Sequence, residues 1–327
     1  TEVKAAYTAD AAGTIVLDND EAVSVSGSVS VADANIIAGK TSGVVTATIA
    51  EGASATLAGL NGTGNAYTVT VTDTSATASE LTSIDAATTV AVQAGNVTTL
   101  SGTATEVKAA YTADAAGTIV LDGDEAVSVS GSASVADANT IAGKTSGVVT
   151  ASIASGTYTA LNALNETANA YALSLSESIT VDQANTLDAK TTGVITATIS
   201  TGASATLAGL NGTGNAYTIT VTDTSATASE LTSIDAATTV AVQAGNVTSL
   251  SGTATEVKAA YAADAATTIV LDGDEAVSVS GTVSVADANT ISGKTSGAVT
   301  ATIATGSFTD LNALNETNNV YALNLNE

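Results

Sequence analysis

The densest clusters of reactive side chains in this sequence are three acidic tetrapeptides, Asp18-Asn19-Asp20-Glu21, Asp122-Gly123-Asp124-Glu125 and Asp272-Gly273-Asp274-Glu275. Carboxylates crowded around a turn suit Ca²⁺, a hard cation that takes roughly six to eight oxygen ligands. Asp18, Asp20, Glu21, Asp122, Asp124, Glu125, Asp272, Asp274 and Glu275 are therefore candidate calcium ligands, and calcium is the one cofactor the sequence suggests. The spacing is not that of an EF-hand loop, and Asp-Gly pairs also build ordinary solvated turns. No other chemistry stands out. The chain has no His and no Cys, which leaves paired carboxylates or a Ser/Lys pair as catalytic options. Every such candidate recurs from repeat to repeat, as structural residues do, so the sequence reads as a non-enzyme.

The remaining polar and aromatic candidates also fall into registers. Lys4, Lys108 and Lys258 share one position of the repeat, and Lys40, Lys144, Lys190 and Lys294 share another. Salt bridges between neighbouring repeats account for them. Tyr67, Tyr171, Tyr217 and Tyr321 each follow an asparagine by two residues (Asn65, Asn169, Asn215, Asn319), and Tyr7, Tyr111 and Tyr261 form a second set. Aromatics in register stack as core or edge ladders, or line a sugar-binding stripe. The asparagines read as buried turn ladders.

Composition narrows the partners. Seven basic residues against 32 acidic ones give a formal charge of −25. Phosphate backbones are held by clustered Lys and Arg, so nucleic acid is excluded, and an anionic membrane surface with it. Such a charge keeps copies of the chain apart unless cations screen it. No apolar run approaches the ~20 residues of a membrane span, so no membrane insertion is expected. At 45% hydrophobic content the chain is too apolar for charge-driven disorder, yet Ala and Val supply much of that content, so the core must be thin.

The chain restates itself at two levels. Val31–Ile49 (VADANIIAGKTSGVVTATI) returns at 135–153 and 285–303, with a diverged copy at 181–199. Thr1 aligns with Thr105, an offset of 104, and Thr105 with Thr255, an offset of 150. The difference, 150 − 104 = 46, is a block the first unit lacks, and Tyr171, Val194 and Tyr217, each 23 apart, divide it into two turns. Residues 53–104 and 203–254 differ only at Val69/Ile219 and Thr99/Ser249. We divide the chain into a four-coil unit (1–104), a six-coil unit (105–254) and a partial unit (255–327). It is expected to begin and end inside a repeat, at Thr1 and Glu327, as a segment of a longer array.

The elements that position these residues follow from local patterns. Thr77–Glu80, Thr103–Glu106, Thr180–Gln183, Thr227–Glu230 and Thr253–Glu256 are capping boxes, and Ser30–Asp33, Ser134–Asp137 and Ser284–Asp287 have related spacing. Each predicts a short helix, too short to persist alone in water. Strands are predicted at Val44–Ile49, Tyr67–Val71, Tyr171–Leu175, Val194–Ile199, Tyr217–Val221 and Tyr321–Leu325. Further strands are predicted at Thr14–Leu17, Thr89–Val92, Thr118–Leu121, Thr239–Val242 and Thr268–Leu271. The runs AVSVSG from Ala22 and its copies read as stretches in the spacing. In Val44–Ile49 the residues Val45, Ala47 and Ile49 form one face and Thr46 and Thr48 the other. The fold class is a repeat protein, a β-solenoid or α/β-solenoid of about 13 coils, with parallel strands and one short helix per 22–30 residue coil. Stacked at about 4.8 Å per coil, it would form a rod.

Runs such as SVSVADANIIAGKTSGVVTATI (28–49) and SESITVDQANTLDAKTTGVITATI (176–199) resemble the degenerate Ala/Thr/Val/Asp repeats of giant secreted and cell-surface bacterial proteins, adhesin-like or haemolysin-type, found in cyanobacteria and proteobacteria. The resemblance covers nearly the whole chain. It implies an extracellular or cell-surface, calcium-rich setting, although the G-G-x-G-x-D nonapeptide of calcium-binding repeats is absent. The expected function is structural, in a surface filament, surface layer or adhesin stalk. Its partners would be further copies, head-to-tail or lateral, and surface glycans. The alternative is an ice-binding or carbohydrate-binding solenoid, since rows of Thr-x-Thr on a flat face suit ice and a stripe of tyrosines suits a sugar.

Overall fold

Most helices of this protein begin at a Ser or Thr whose hydroxyl accepts from a backbone N–H of the first turn, whereas those that start after Ala53 and Ala203 have no side-chain cap. The computed structural model describes residues 2–315 and 317–326; Thr1 and Glu327, expected to lie inside a repeat, fall outside them. All five sequence-predicted capping boxes form, with the hydroxyl accepting from the third helical N–H and the Glu or Gln returning to the cap N–H. Ser30, Ser134 and Ser284 cap in the same manner through their hydroxyls. Each cap contributes about 1 kcal/mol.

Two compact units result, residues 1–154 with 164–172, and residues 155–163 with 173–327. The first contains α1 (Glu2–Ala11), β1 (Val23–Val29), α2 (Val31–Ala38), β2 (Val45–Ile49), α3 (Ser54–Leu57), β3 (Ala66–Thr68), β4 (Ser75–Thr77) and α4 (Ala78–Ala86). It continues with β5 (Val92–Gln93), β6 (Thr99–Thr103), α5 (Ala104–Ala116), β7 (Ile119–Val120), β8 (Ala126–Ala133), α6 (Val135–Ala142) and β9 (Val149–Ile153). The second opens with α7 (Tyr158–Leu161). Next in the chain is β10 (Ala170–Ile179), whose first three residues pair with β9 in the first unit. Then follow α8 (Val181–Asp188), β11 (Ile195–Ile199), α9 (Ser204–Leu207), β12 (Ala216–Thr218), β13 (Ser225–Thr227), α10 (Ala228–Ala236) and β14 (Val242–Gln243). The last elements are β15 (Ser249–Thr253), α11 (Ala254–Ala265), β16 (Ile269–Val270), β17 (Ala276–Val283), α12 (Val285–Ser292), β18 (Val299–Ile303), α13 (Phe308–Leu311) and β19 (Val320–Ala322).

The architecture is an α/β repeat of alternating strand–helix units, and the strand pairs are parallel. Partners lie from 20 residues apart (Thr46 and Ala66) to 27 (Thr99 and Ala126), tighter than the expected upper spacing. Alternation sorts the side chains: β2, β9, β11 and β18 bury their odd positions, so Val45, Ala47 and Ile49 are core and Thr46 and Thr48 are exposed. Tyr67, Val69 and Val71 are likewise fully buried.

Three expectations need correction. The AVSVSG segments are strands, not spacers. β1, β8 and β17 each pair with the strand that follows, with a shift in register near Gly27, Gly131 and Gly281. Those glycines have φ of +77°, +73° and +77°, a bulge conformation that glycine adopts without a steric penalty. The segments predicted at 89–92 and 239–242 shift C-terminally to Val92–Gln93 and Val242–Gln243. Thr14–Leu17 forms no strand. Its copies do, because Ile119 pairs with Val92 and Ile269 with Val242. No helix among the described residues is long and apolar enough to cross a membrane.

Candidate functional site

The acidic turns are built by the chain just after α1, α5 and α11. Asn19, Gly123 and Gly273 sit at positive φ, 60°, 76° and 73°, which turns the strand entry sharply. The third acid of each cluster then points inward. Glu125 and Glu275 are fully buried. Each accepts a hydrogen bond from a tyrosine hydroxyl, Tyr111 or Tyr261, at 3.1 Å, and from the N–H of Gly123 or Gly273 at 2.9 and 3.0 Å. Burial, with the Glu125 carboxylate next, holds the Tyr111 phenol far above its ordinary value. In the first copy Glu21 accepts instead from the Asp18 N–H at 2.7 Å, and its other oxygen is buried without a partner.

A second loop clamps the same glutamates. Thr41, Thr145 and Thr295 donate their hydroxyls to the carbonyl oxygens of Glu21, Glu125 and Glu275 at 2.6, 2.6 and 2.7 Å. Each also accepts from the N–H of the glycine two residues on, at 2.9 Å. A Cβ at Gly43, Gly147 or Gly297 would lie 2.3 Å from that glutamate carbonyl, so only glycine fits. Asp122 and Asp272 rest against Gly95 and Gly245, where a Cβ would approach a carboxylate oxygen to 2.9 Å. The turns thus leave two exposed aspartates each, bury Glu125 and Glu275 and half-bury Glu21. Among the described residues no three acidic side chains converge to hold a metal ion.

The lysines come together more than the acids do. Lys4 pairs with Asp33, Lys108 with Asp137 and Lys258 with Asp287, linking α1 to α2, α5 to α6 and α11 to α12. The Lys108 ammonium, with the Ser134 hydroxyl next, holds Asp137 below the usual carboxylate range. Between each helix pair lies a cleft with a second lysine on its rim. Lys4, Tyr7, Ile37 and Lys40 line a cavity of about 180 Å³. Lys108, Tyr111, Ile141 and Lys144 line one of about 250 Å³. Lys258, Tyr261, Ile291 and Lys294 line one of about 360 Å³. Six of the chain's seven basic side chains converge in this way, and Lys190 lines none of the three. Among the described residues Lys40, Lys144 and Lys294 have no carboxylate within 4.0 Å, so ion pairing explains the first lysine register and not these three.

The asparagine ladder forms as expected. Asn65, Asn169, Asn215 and Asn319 accept from the N–H of Val45, Val149, Ile195 and Val299 at 2.7–3.0 Å, always twenty residues back. They are structural. The sequence reading missed the Tyr111–Glu125 pair and the lysine clefts, although Tyr and Glu stand 14 residues apart in all three copies.

Fold and clefts together define an α/β repeat protein with parallel strands and a lysine-rimmed groove between paired helices. No family model, no curated protein and no solved structure matches the chain.

Proposed function

We propose that this chain is structural and not catalytic: a continuous α/β-solenoid of about 13 coils, one per helix, in an extracellular bacterial filament, surface layer or adhesin stalk. One observation carries the reading. The tetrapeptide Thr-Ile-Val-Leu occurs three times, and it becomes a strand only where a preceding unit pairs with it. Ile119 and Ile269 are fully buried, whereas Ile15 is 44% exposed and Val16 85%. Similarly, Leu173 is 2% exposed where β11 lies alongside β10, and its copy Leu323 is 52% exposed. Each unit supplies the surface that completes its neighbour, as in a stack held by nearest-neighbour interfaces, and units this alike suit contact between copies. Head-to-tail contacts of that kind do not close and build fibres.

Electron microscopy of the native material tests this. Long unbranched filaments or sheets with a repeat of a few nanometres are expected. A dispersed monomer with a small-molecule activity would refute it.

A second reading, ice or carbohydrate binding, is favoured by a hydroxyl row on the sheet face opposite the core. Thr77, Ser101, Ser128 and Thr150 stand in register on β4, β6, β8 and β9, about 4.8 Å apart. Thermal hysteresis or glycan-array binding would establish it.

A further inference from the structure

We propose that the three lysine clefts are docking sites for a second copy of this chain, each receiving an aspartate turn of the partner copy. The proposal rests on the structural reading above and names its lateral surface. Cleft and turn are neighbours. Ser146 N–H donates to the Gly123 carbonyl at 2.8 Å, and a Cβ at Gly123 would lie 3.9 Å from the Lys144 carbonyl. Ser42 with Asn19 and Ser296 with Gly273 repeat this link at 2.8 Å. The lysine backbone therefore lies beside an acidic turn of its own molecule, yet among the described residues its ammonium has no carboxylate within 4.0 Å. Asp20, Asp124 and Asp274 are exposed and also lack an ion pair among the described residues.

A patch that carries an unpaired cation next to an unpaired anion is self-complementary under a two-fold axis: the turn of each copy meets the cleft of the other. The cavities, about 180 to 360 Å³, admit an aspartate side chain. One exposed ion pair contributes only about 0.2–1 kcal/mol. The first two clefts and their turns belong to one compact unit, so engaging one pair raises the effective concentration of the next. Charge complementarity also selects the occupant. This chain carries seven cations, six of them at the clefts, and any copy of it offers the same acidic turns.

The −25 charge on each copy opposes approach over long range. Salt at about 0.1 M screens beyond about 10 Å and leaves contact pairs less affected, so association is expected to peak at intermediate ionic strength. Sedimentation velocity of the whole chain across about 0.01–1 M NaCl reads this directly. The triple variant Lys40→Glu/Lys144→Glu/Lys294→Glu, and Asp20→Lys/Asp124→Lys/Asp274→Lys, are each expected to weaken association by about tenfold or more. Mixing the two restores it as a mixed dimer. A Lys→Gln triple with unchanged circular dichroism guards against misfolding.

Wild-type chains monomeric at every salt, lysine variants that associate normally, or no rescue on mixing would each overturn the proposal. So would lysine-dependent capture of an acidic polysaccharide such as alginate by a chain that stays monomeric, which would make the occupant a glycan. Filaments of a wild-type chain that shows no lysine-dependent dimer would overturn the docking and leave the structural function standing; cleft-dependent dimers without filaments would do the reverse.

Discussion

A methyl group at Gly147 would sit 2.3 Å from the Glu125 carbonyl oxygen, a backbone atom that cannot swing aside. Gly147→Ala is expected to lower stability by about 1–3 kcal/mol, the usual cost of overpacking, while Ser146→Ala one residue earlier leaves the melting temperature nearly unchanged. A thermal melt of both variants checks it. This glycine was not legible as essential, because its contact lies 22 residues away and repetition alone does not separate a tight approach from a loose turn. The capping hydroxyls were legible, since both partners lie within three residues. The buried tyrosines set a limit at high pH. Burial, with the Glu166 charge next, pushes the Tyr171 phenol up to about 12 from 10.0. A raised folded pKa means stability is whole below pH 10 and falls as pH rises towards 12, by up to about 1.4 kcal/mol per unit for each such group. Urea melts at pH 9 and about 11.5 should differ in that direction, with tyrosinate absorbance rising at the transition; equal midpoints would refute it.

At the scale of elements, the Thr-Ile-Val-Leu copies separate propensity from context. Ile and Val favour strands, and that preference led to the same expectation for all three copies. A strand two residues long has no stability of its own and exists through its partner. Native-state hydrogen exchange should therefore protect the backbone amides of Val120 and Val270, the ladder positions of the paired copies, and leave that of Val16 near the unprotected rate. Peptides ending in Leu-Asp-Asn-Asp and Leu-Asp-Gly-Asp distinguish the first copy from the others by mass. Equal protection in all three would contradict the context argument. The AVSVSG runs carry the opposite lesson. Their alternation was a strand signal, but a spacing argument took precedence and the glycine bulge was read as a break.

For the whole molecule, repeat arithmetic was the most legible feature of all, and it makes the most demanding prediction. The first unit lacks the 46-residue block found in the second, so the chain contains both the shorter and the longer connection. In β2 and β3, Thr46 faces Ala66 and Thr48 faces Thr68. In β11 and β12, Thr196 faces Ala216 and Thr198 faces Thr218. In β9 and β10, Thr150 faces Ala170 and Ser152 faces Ala172. The three junctions share one register, and each is anchored by an asparagine accepting from the strand N–H twenty residues back. Deleting residues 154–199 joins Ile153 to Ser200, which reproduces the junction of Ile49 and Ala50, and places Thr150 twenty positions before Ala216 in the shortened chain. That variant is expected to keep the native circular dichroism and one cooperative melt, because a stack of nearest-neighbour interfaces loses two internal coils without losing a surface that another coil needs. Deleting 160–199, six residues fewer, breaks the arithmetic: Asn215 and Tyr217 move out of register with β9, and the core face of the strand no longer meets a helix of matching length. It is expected to melt early or aggregate. If the two deletions behave alike, the repeat register is not what holds the chain together.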